Sequence, residues 1–182
     1  MRPRLYLKHV LQAGGVVLDL TAQTPAQAIR SLAAAIPPEN LPQGVDVSAL
    51  ALARERQLPS DIGHGVAIPR ARCPGLAKPL MVLGRSVDGI RFSAESAVPA
   101  RLIFLVVTPV KRPQLQVFLL AQLACVVRSE FIRERLCRAQ SRQELVEIIA
   151  AADPEGRKGT QLPEENDQAQ REDLWRDDGG QG

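Results

Sequence analysis

Few side chains in this sequence can do group-transfer or acid–base chemistry: two histidines, His9 and His64, three cysteines, Cys73, Cys125 and Cys137, and scattered arginines. The least generic run is Ile62-Gly63-His64-Gly65-Val66-Ala67-Ile68-Pro69-Arg70. Two glycines two apart let the backbone turn tightly and present its amides just ahead of a strand. An imidazole with a pKa of about 6.5 is neutral often enough to attack an electrophile or move a proton. A guanidinium stays protonated and can only hold an anion. The glycine pair lacks a third glycine and precedes a strand, where a dinucleotide fingerprint would precede a helix, so it is neither a Rossmann signature nor a phosphate-binding P-loop. The cysteines are odd in number with no C-x-x-C pair, which argues against a disulfide framework and a cysteine zinc site. Cys125 sits amid apolar helix residues and Cys137 near a helix end; Cys73, between Arg72 and Pro74 and close to Arg70, is the thiol whose cationic neighbours would lower its pKa.

The elements that must position these residues are legible from caps, punctuation and period. Tyr6 to Gln12 reads as a short helix stopped by Gly14-Gly15, and Val16-Val17-Leu18-Asp19-Leu20 as a strand. Thr24-Pro25 opens a helix that Pro37-Pro38 ends, with Ala28, Ile29, Leu32 and Ala35 on one face. A second helix runs from about Asp46 to Gln57 and carries Arg54 near its C-terminal end. Residues 59–65 form a loop, and Val66-Ala67-Ile68-Pro69 a short strand that the proline closes or leaves at an edge. Pro79 to Gly84 and Arg101 to Thr108 are two more strands; the second is apolar on both faces and belongs in the middle of its sheet. Pro113 begins a long helix through about Val127, and Ser129 and Ser141 cap two more, Glu130 to Arg138 and Arg142 to Ala151. Strands interleaved with helices predict an α/β fold, a single mixed sheet with helices on both faces.

The chain has 182 residues, 45% apolar and 24% charged, which suits one domain. No run of 18 apolar residues and no signal-peptide pattern is present, so the expectation is a cytoplasmic chain without membrane insertion. The charge is uneven. Residues 1–152 carry 19 Arg/Lys against 11 Asp/Glu, and residues 153–182 carry 4 against 9. The body's cations are dispersed, and six aromatics offer little stacking on bases, so a solvated basic surface is preferred to nucleic-acid binding. Residues 1–152 are assigned as the domain and 153–182 as an acidic tail, too polar to offset its ordering entropy and therefore disordered. Leu174-Trp175, the tail's one apolar spot, is either a docking element or part of an inert extension.

The central motif, read with its flanks, resembles the enzyme IIA domains of the fructose–mannitol class of the bacterial phosphoenolpyruvate-dependent sugar phosphotransferase system, nitrogen-regulatory members included. The family has a helix ending in Arg-Glu, here Arg54-Glu55, and a glycine loop running into Val/Ile-Ala-Ile-Pro-His, here Val66-Ala67-Ile68-Pro69-Arg70. The likeness continues through Leu102–Pro109, Leu120-Ala121-Gln122-Leu123-Ala124 and Ala139-Gln140-Ser141, spanning roughly residues 5–151. The resemblance implies an enzyme IIA sandwich. It also places the family's phosphoryl-accepting histidine on Arg70 and its second active-site histidine on Gln116, leaving only the active-site arginine, Arg54, in place.

Two functions follow. The first is a regulatory module that has lost the phosphoryl relay and binds a protein partner (a phosphotransferase-system component, a kinase or a transporter) or an anionic small ligand. Its site would comprise Arg54, Gly63, His64, Gly65, Arg70 and Gln116, with no cofactor or metal; the ordinary alternative is that Arg70 pairs with Asp61 or Glu55. The second is a working enzyme IIA component that relays phosphoryl groups from the histidine phosphocarrier protein through another residue, His64 being the nearest substitute and His9 a more distant one. In either case the acidic tail could fold back and compete for the arginines.

Overall fold

The structure, a computed structural model, describes residues 5–153. Six helices, α1 (Leu7–Gly14), α2 (Pro25–Ala34), α3 (Val47–Gln57), α4 (Pro113–Val127), α5 (Glu130–Arg138) and α6 (Arg142–Ala152), enclose one sheet. Its strands are β1 (Gly15–Val17), β2 (Asp61–Gly63), β3 (Val66–Ala67), β4 (Arg70–Cys73), β5 (Leu80–Ile90) and β6 (Ala100–Pro109). The order is β1-β5-β6-β3-β2, with β4 pairing β6 beyond β3. The sheet is mixed: β5 and β6 are antiparallel, whereas β1 runs parallel to β5, and β3 and β4 parallel to β6.

The apolar run of β6 is central, as its composition requires. Leu102, Phe104 and Val106 enter one core with α1, α4, α5 and α6, while Ile103, Leu105 and Val107 enter the other with α2 and α3. Helix starts follow local chemistry. Thr24, Asp46, Ser129 and Ser141 each accept a backbone N–H from three residues on, satisfying donors that the first turn would orphan. At Gly14 helix α1 approaches β5 so closely that a Cβ would lie 2.0 Å from the Met81 carbonyl oxygen.

Three strand expectations are corrected. The expected strand at 16–20 is regular only over Gly15–Val17; past it the Leu18 carbonyl accepts from Arg85 Nε (3.0 Å) instead of the ladder, and Leu20 N makes one further backbone bond to the Arg85 carbonyl (2.8 Å). The strand expected at 66–69, closed by Pro69 or left by it at an edge, is regular over Val66–Ala67 and, after the break at Pro69, resumes as β4. Pro69 cannot donate, but its carbonyl accepts from Val106 N (2.9 Å), so β3 and β4 lie along the same side of β6 with a break between them. The strand expected at 79–84 continues to Ile90, and Asp61–Gly63, expected as loop, pairs with β3. Helix α1 also keeps Gly14 within it before Gly15 ends it at φ 133°.

Asp153, assigned by composition to the tail, belongs to the folded body. It is 1% exposed, and its carboxylate accepts from Leu7 N (2.9 Å) at the start of α1 and from Gln122 Nε2 (3.3 Å) in α4. A negative charge there also suits the positive end of the helix. The expectations for residues 154–182 lie outside the described residues. Among the described residues, no single helix is long and apolar enough to cross a membrane.

Candidate functional site

Asp46 sets the start of α3, and eleven residues later the helix ends with Arg54 and Gln57 one turn apart on one face, Arg54 Nη1 donating to Gln57 Oε1 at 3.3 Å. Strand alternation divides β4: Ala71 and Cys73 point into the core with α2 and α3, and Arg70 and Arg72 point the other way. Pro113 starts α4, placing Gln116 in its first turn, where it is buried and accepts from Arg72 Nε at 2.9 Å.

These three elements enclose an open cleft of about 590 Å³ at the sheet edge, lined by Arg54, Gln57, Arg70, Arg72 and Gln116 over an apolar floor that includes Leu120. Three guanidiniums face it and no carboxylate lines it. Partial burial, then the positive charge of Arg54, holds the Arg70 pKa below the usual guanidinium range, with Glu55 opposing weakly. The Arg70 backbone is paired with β6, but its guanidinium forms no hydrogen bond or salt bridge with any described residue. The two carboxylates expected to pair with it each bond a backbone amide instead: Glu55 Oε1 accepts from Ser60 N (2.9 Å) and Asp61 Oδ1 from Gly63 N (2.7 Å). A guanidinium that is partly desolvated and lies beside a second one has its hydrogen-bond donors available to an anionic group.

Of the residues singled out in the sequence, the cleft unites Arg54, Arg70 and Gln116. It does not include Gly63, His64 or Gly65. They form the β2–β3 turn, where all three adopt positive φ (81°, 55° and 74°). The Gly63 amide is already spent on Asp61. His64 is exposed and lines two neighbouring cavities, one with Arg101, Arg133 and Arg138, the other an apolar groove that shares Arg70 and Leu120 with the cleft. His9 lies exposed on α1, edge-on to Tyr6.

The thiol expectation is reversed. Cys73 is fully buried, donates to the Pro74 carbonyl (3.6 Å), and burial pushes its pKa up, so its side chain points away from the arginines that flank it in sequence. Burial likewise raises Cys137, and Cys125, expected among apolar neighbours, is exposed. Sequence reasoning missed Arg72 and Gln57. Arg72 stands two residues from Arg70, and strand periodicity would have placed both on one face had the strand been extended past Pro69.

Residues 9–152 match the family described as phosphoenolpyruvate-dependent sugar phosphotransferase system, EIIA 2. The chain is 31% identical over 99 residues to the fructose-specific EIIA component of Haloferax volcanii, a match spanning 54% of this chain and 64% of that protein. Its fold is similar to nitrogen regulatory protein IIA-Ntr from Neisseria meningitidis, with a TM-score of 0.72 and 25% identity over 79% of this chain and 98% of that one. It also resembles, at TM-score 0.65 and 24% identity over 76% of this chain and 96% of that one, the structure of IIA mannitol in complex with phosphorylated IIB mannitol from Escherichia coli.

Proposed function

The chain belongs to the EIIA 2 family of the phosphoenolpyruvate-dependent sugar phosphotransferase system, and from that premise we propose that it is a regulatory member which binds but does not relay phosphoryl groups. It is an EIIA-type domain related to the IIA-Ntr regulatory proteins. In the proposed reading Arg70 occupies the acceptor position, and a guanidinium that never loses its proton has no nitrogen lone pair with which to attack phosphorus. Gln116 at the second position donates hydrogen bonds without carrying charge, and its carbonyl oxygen is committed to Arg72.

The observation that carries the reading is the unpaired Arg70 guanidinium in a cleft with Arg54 and Arg72 and no carboxylate. Such a site recognises a phosphate or carboxylate by charge-assisted, bidentate hydrogen bonds. It disfavours an electropositive partner surface. The partner therefore presents an anionic group, as an acidic side chain, a phosphorylated residue or a small phosphorylated ligand. A relay through His64 draws no support from the cleft, since His64 is outside its lining.

The test is incubation of the protein with phosphoenolpyruvate, the first enzyme of the system and its phosphocarrier, read by intact mass. The wild type should stay unmodified while Arg70→His gains one phosphoryl group. A wild type that gains the group refutes the reading, and His64→Ala then asks whether His64 is the acceptor.

A further inference from the structure

Beside the arginine cleft lies the groove of about 440 Å³ already noted, running between the β2–β3 turn and α4. Ile62, Val66, Ile68, Leu120, Ala124 and Val127 line it, with Arg70 at its junction with the cleft and Arg128 also on its wall. Ile62 is 46% exposed, and Val117, on the cleft wall, is 68% exposed. The composite surface is thus an uncovered apolar trough bordered by four guanidiniums, those of Arg54, Arg70, Arg72 and Arg128. Its complement is a segment with a large apolar side chain set among carboxylates.

The chain itself contains that segment. Residues 154–182 hold eight Asp/Glu against four Lys/Arg, and their one adjacent pair of large apolar residues, Leu174-Trp175, lies between Glu172-Asp173 and Asp177-Asp178. The segment also starts in the right place. Asp153 is anchored to Gln122 of α4, and Gln116 is six residues earlier on that helix, about 9 Å along its axis. Trp175 follows 22 residues later, a distance for which a flexible chain has a root-mean-square span of about 25 Å. That reach covers the groove without requiring full extension.

We propose that the acidic C-terminal segment around Leu174-Trp175 is an intramolecular occupant of this surface, with Trp175 in the apolar groove and the flanking carboxylates on Arg70 and its neighbouring arginines. The inference rests on the reading of the cleft as an anion site and names the first anion it meets. A tethered segment acts at a high effective concentration, so an outside partner must outcompete it. The segment then sets a threshold for binding.

Trp175 is the chain's only tryptophan, so in the intact protein its fluorescence reports on this segment alone. Wild-type protein in low salt should show a blue-shifted emission protected from a soluble quencher. Arg70→Glu, or ionic strength raised to about 1 M, where the screening length falls to about 3 Å, should shift it to the emission of a water-exposed indole. Arg101→Glu, in the separate cavity beside His64, should leave it unchanged. Water-exposed emission in the wild type, release by Arg101→Glu alone, or a signal that grows with protein concentration overturns the proposal, the last by assigning the contact to a second copy. No phosphotransferase component is present in this experiment, so its failure leaves the phosphorylation result with Arg70→His standing or falling by itself.

Discussion

Replacing Arg85 with methionine should destabilise the domain by about 3–5 kcal/mol, and the reason lies in carbonyls rather than in an ion pair. Arg85 leaves β5 with its side chain 11% exposed and donates from Nε to the Leu18 carbonyl (3.0 Å) and from Nη1 to the carbonyls of Cys137 (3.4 Å) and Ala139. Its Nη2 also meets Asp19 Oδ1 at 3.0 Å, but the Asp19 side chain is 71% exposed. An ion pair open to water on one side contributes about 0–1 kcal/mol. The carbonyl bonds are different. They tie the end of β1 and the α5–α6 corner to β5, and methionine keeps the apolar stem while leaving the carbonyls without their donor, each at about 1–3 kcal/mol. For a chain of this size the loss should lower the melting temperature by on the order of 10 °C. Asp19→Asn should change it by no more than about 3 °C. Thermal unfolding of the three proteins decides the matter. If Asp19→Asn costs as much as Arg85→Met, or if Arg85→Met melts with the wild type, the carbonyl account is wrong.

Two further outcomes follow from packing and burial. Gly14→Ala should cost about 3 kcal/mol or more in chemical denaturation, because the new Cβ meets the backbone oxygen of Met81 and α1 must move off β5. Gly44→Ala, at φ 74° with nothing within 4 Å, should cost only about 1–2 kcal/mol of backbone strain. A thiol-specific reagent should label exposed Cys125 first, Cys137 more slowly and Cys73 only on unfolding; fast labelling of Cys73 in the native protein would contradict its burial. Because burial raises Cys73 and Cys137 in the folded state, the unfolded chain releases those protons first as pH rises past about 8.5, so stability should fall from there upward. A Cys73→Ala, Cys137→Ala double variant should show a shallower fall in denaturation midpoint with pH.

How far the sequence could be read depended on how far apart the interacting groups are. Helices α2 to α6 were legible because their signals are local: Thr24, Asp46, Ser129 and Ser141 accept amides three residues away, and Pro25 and Pro113 stand at first helical positions. The centrality of β6 was legible from its two-faced apolar run. The extent of the edge strands was not. Pro69 reads as a terminator because it has no N–H, yet pairing along β6 resumes at Arg70, since that ladder needs from Pro69 only its carbonyl. That one misreading hid Arg72 from the site.

Residue type alone determined the chemistry available: two histidines, three cysteines without a metal-binding pair, many arginines that can only hold anions, and an acidic C-terminal segment after a basic body. Tertiary structure decided which of these groups meet. Arg72 reaches Gln116 across 44 residues, Arg85 reaches Leu18 and Ala139 across 67 and 54, and Asp153 reaches Leu7 across 146. Those contacts depend on strand order and helix packing, which no local pattern encodes. The same packing placed Arg70 beside Arg54 and Arg72 in a cleft that the preceding glycine turn does not line, left it sharing the neighbouring groove with Gly63 and His64, and turned the neighbouring Cys73 into the core, because adjacent residues of a strand face opposite sides.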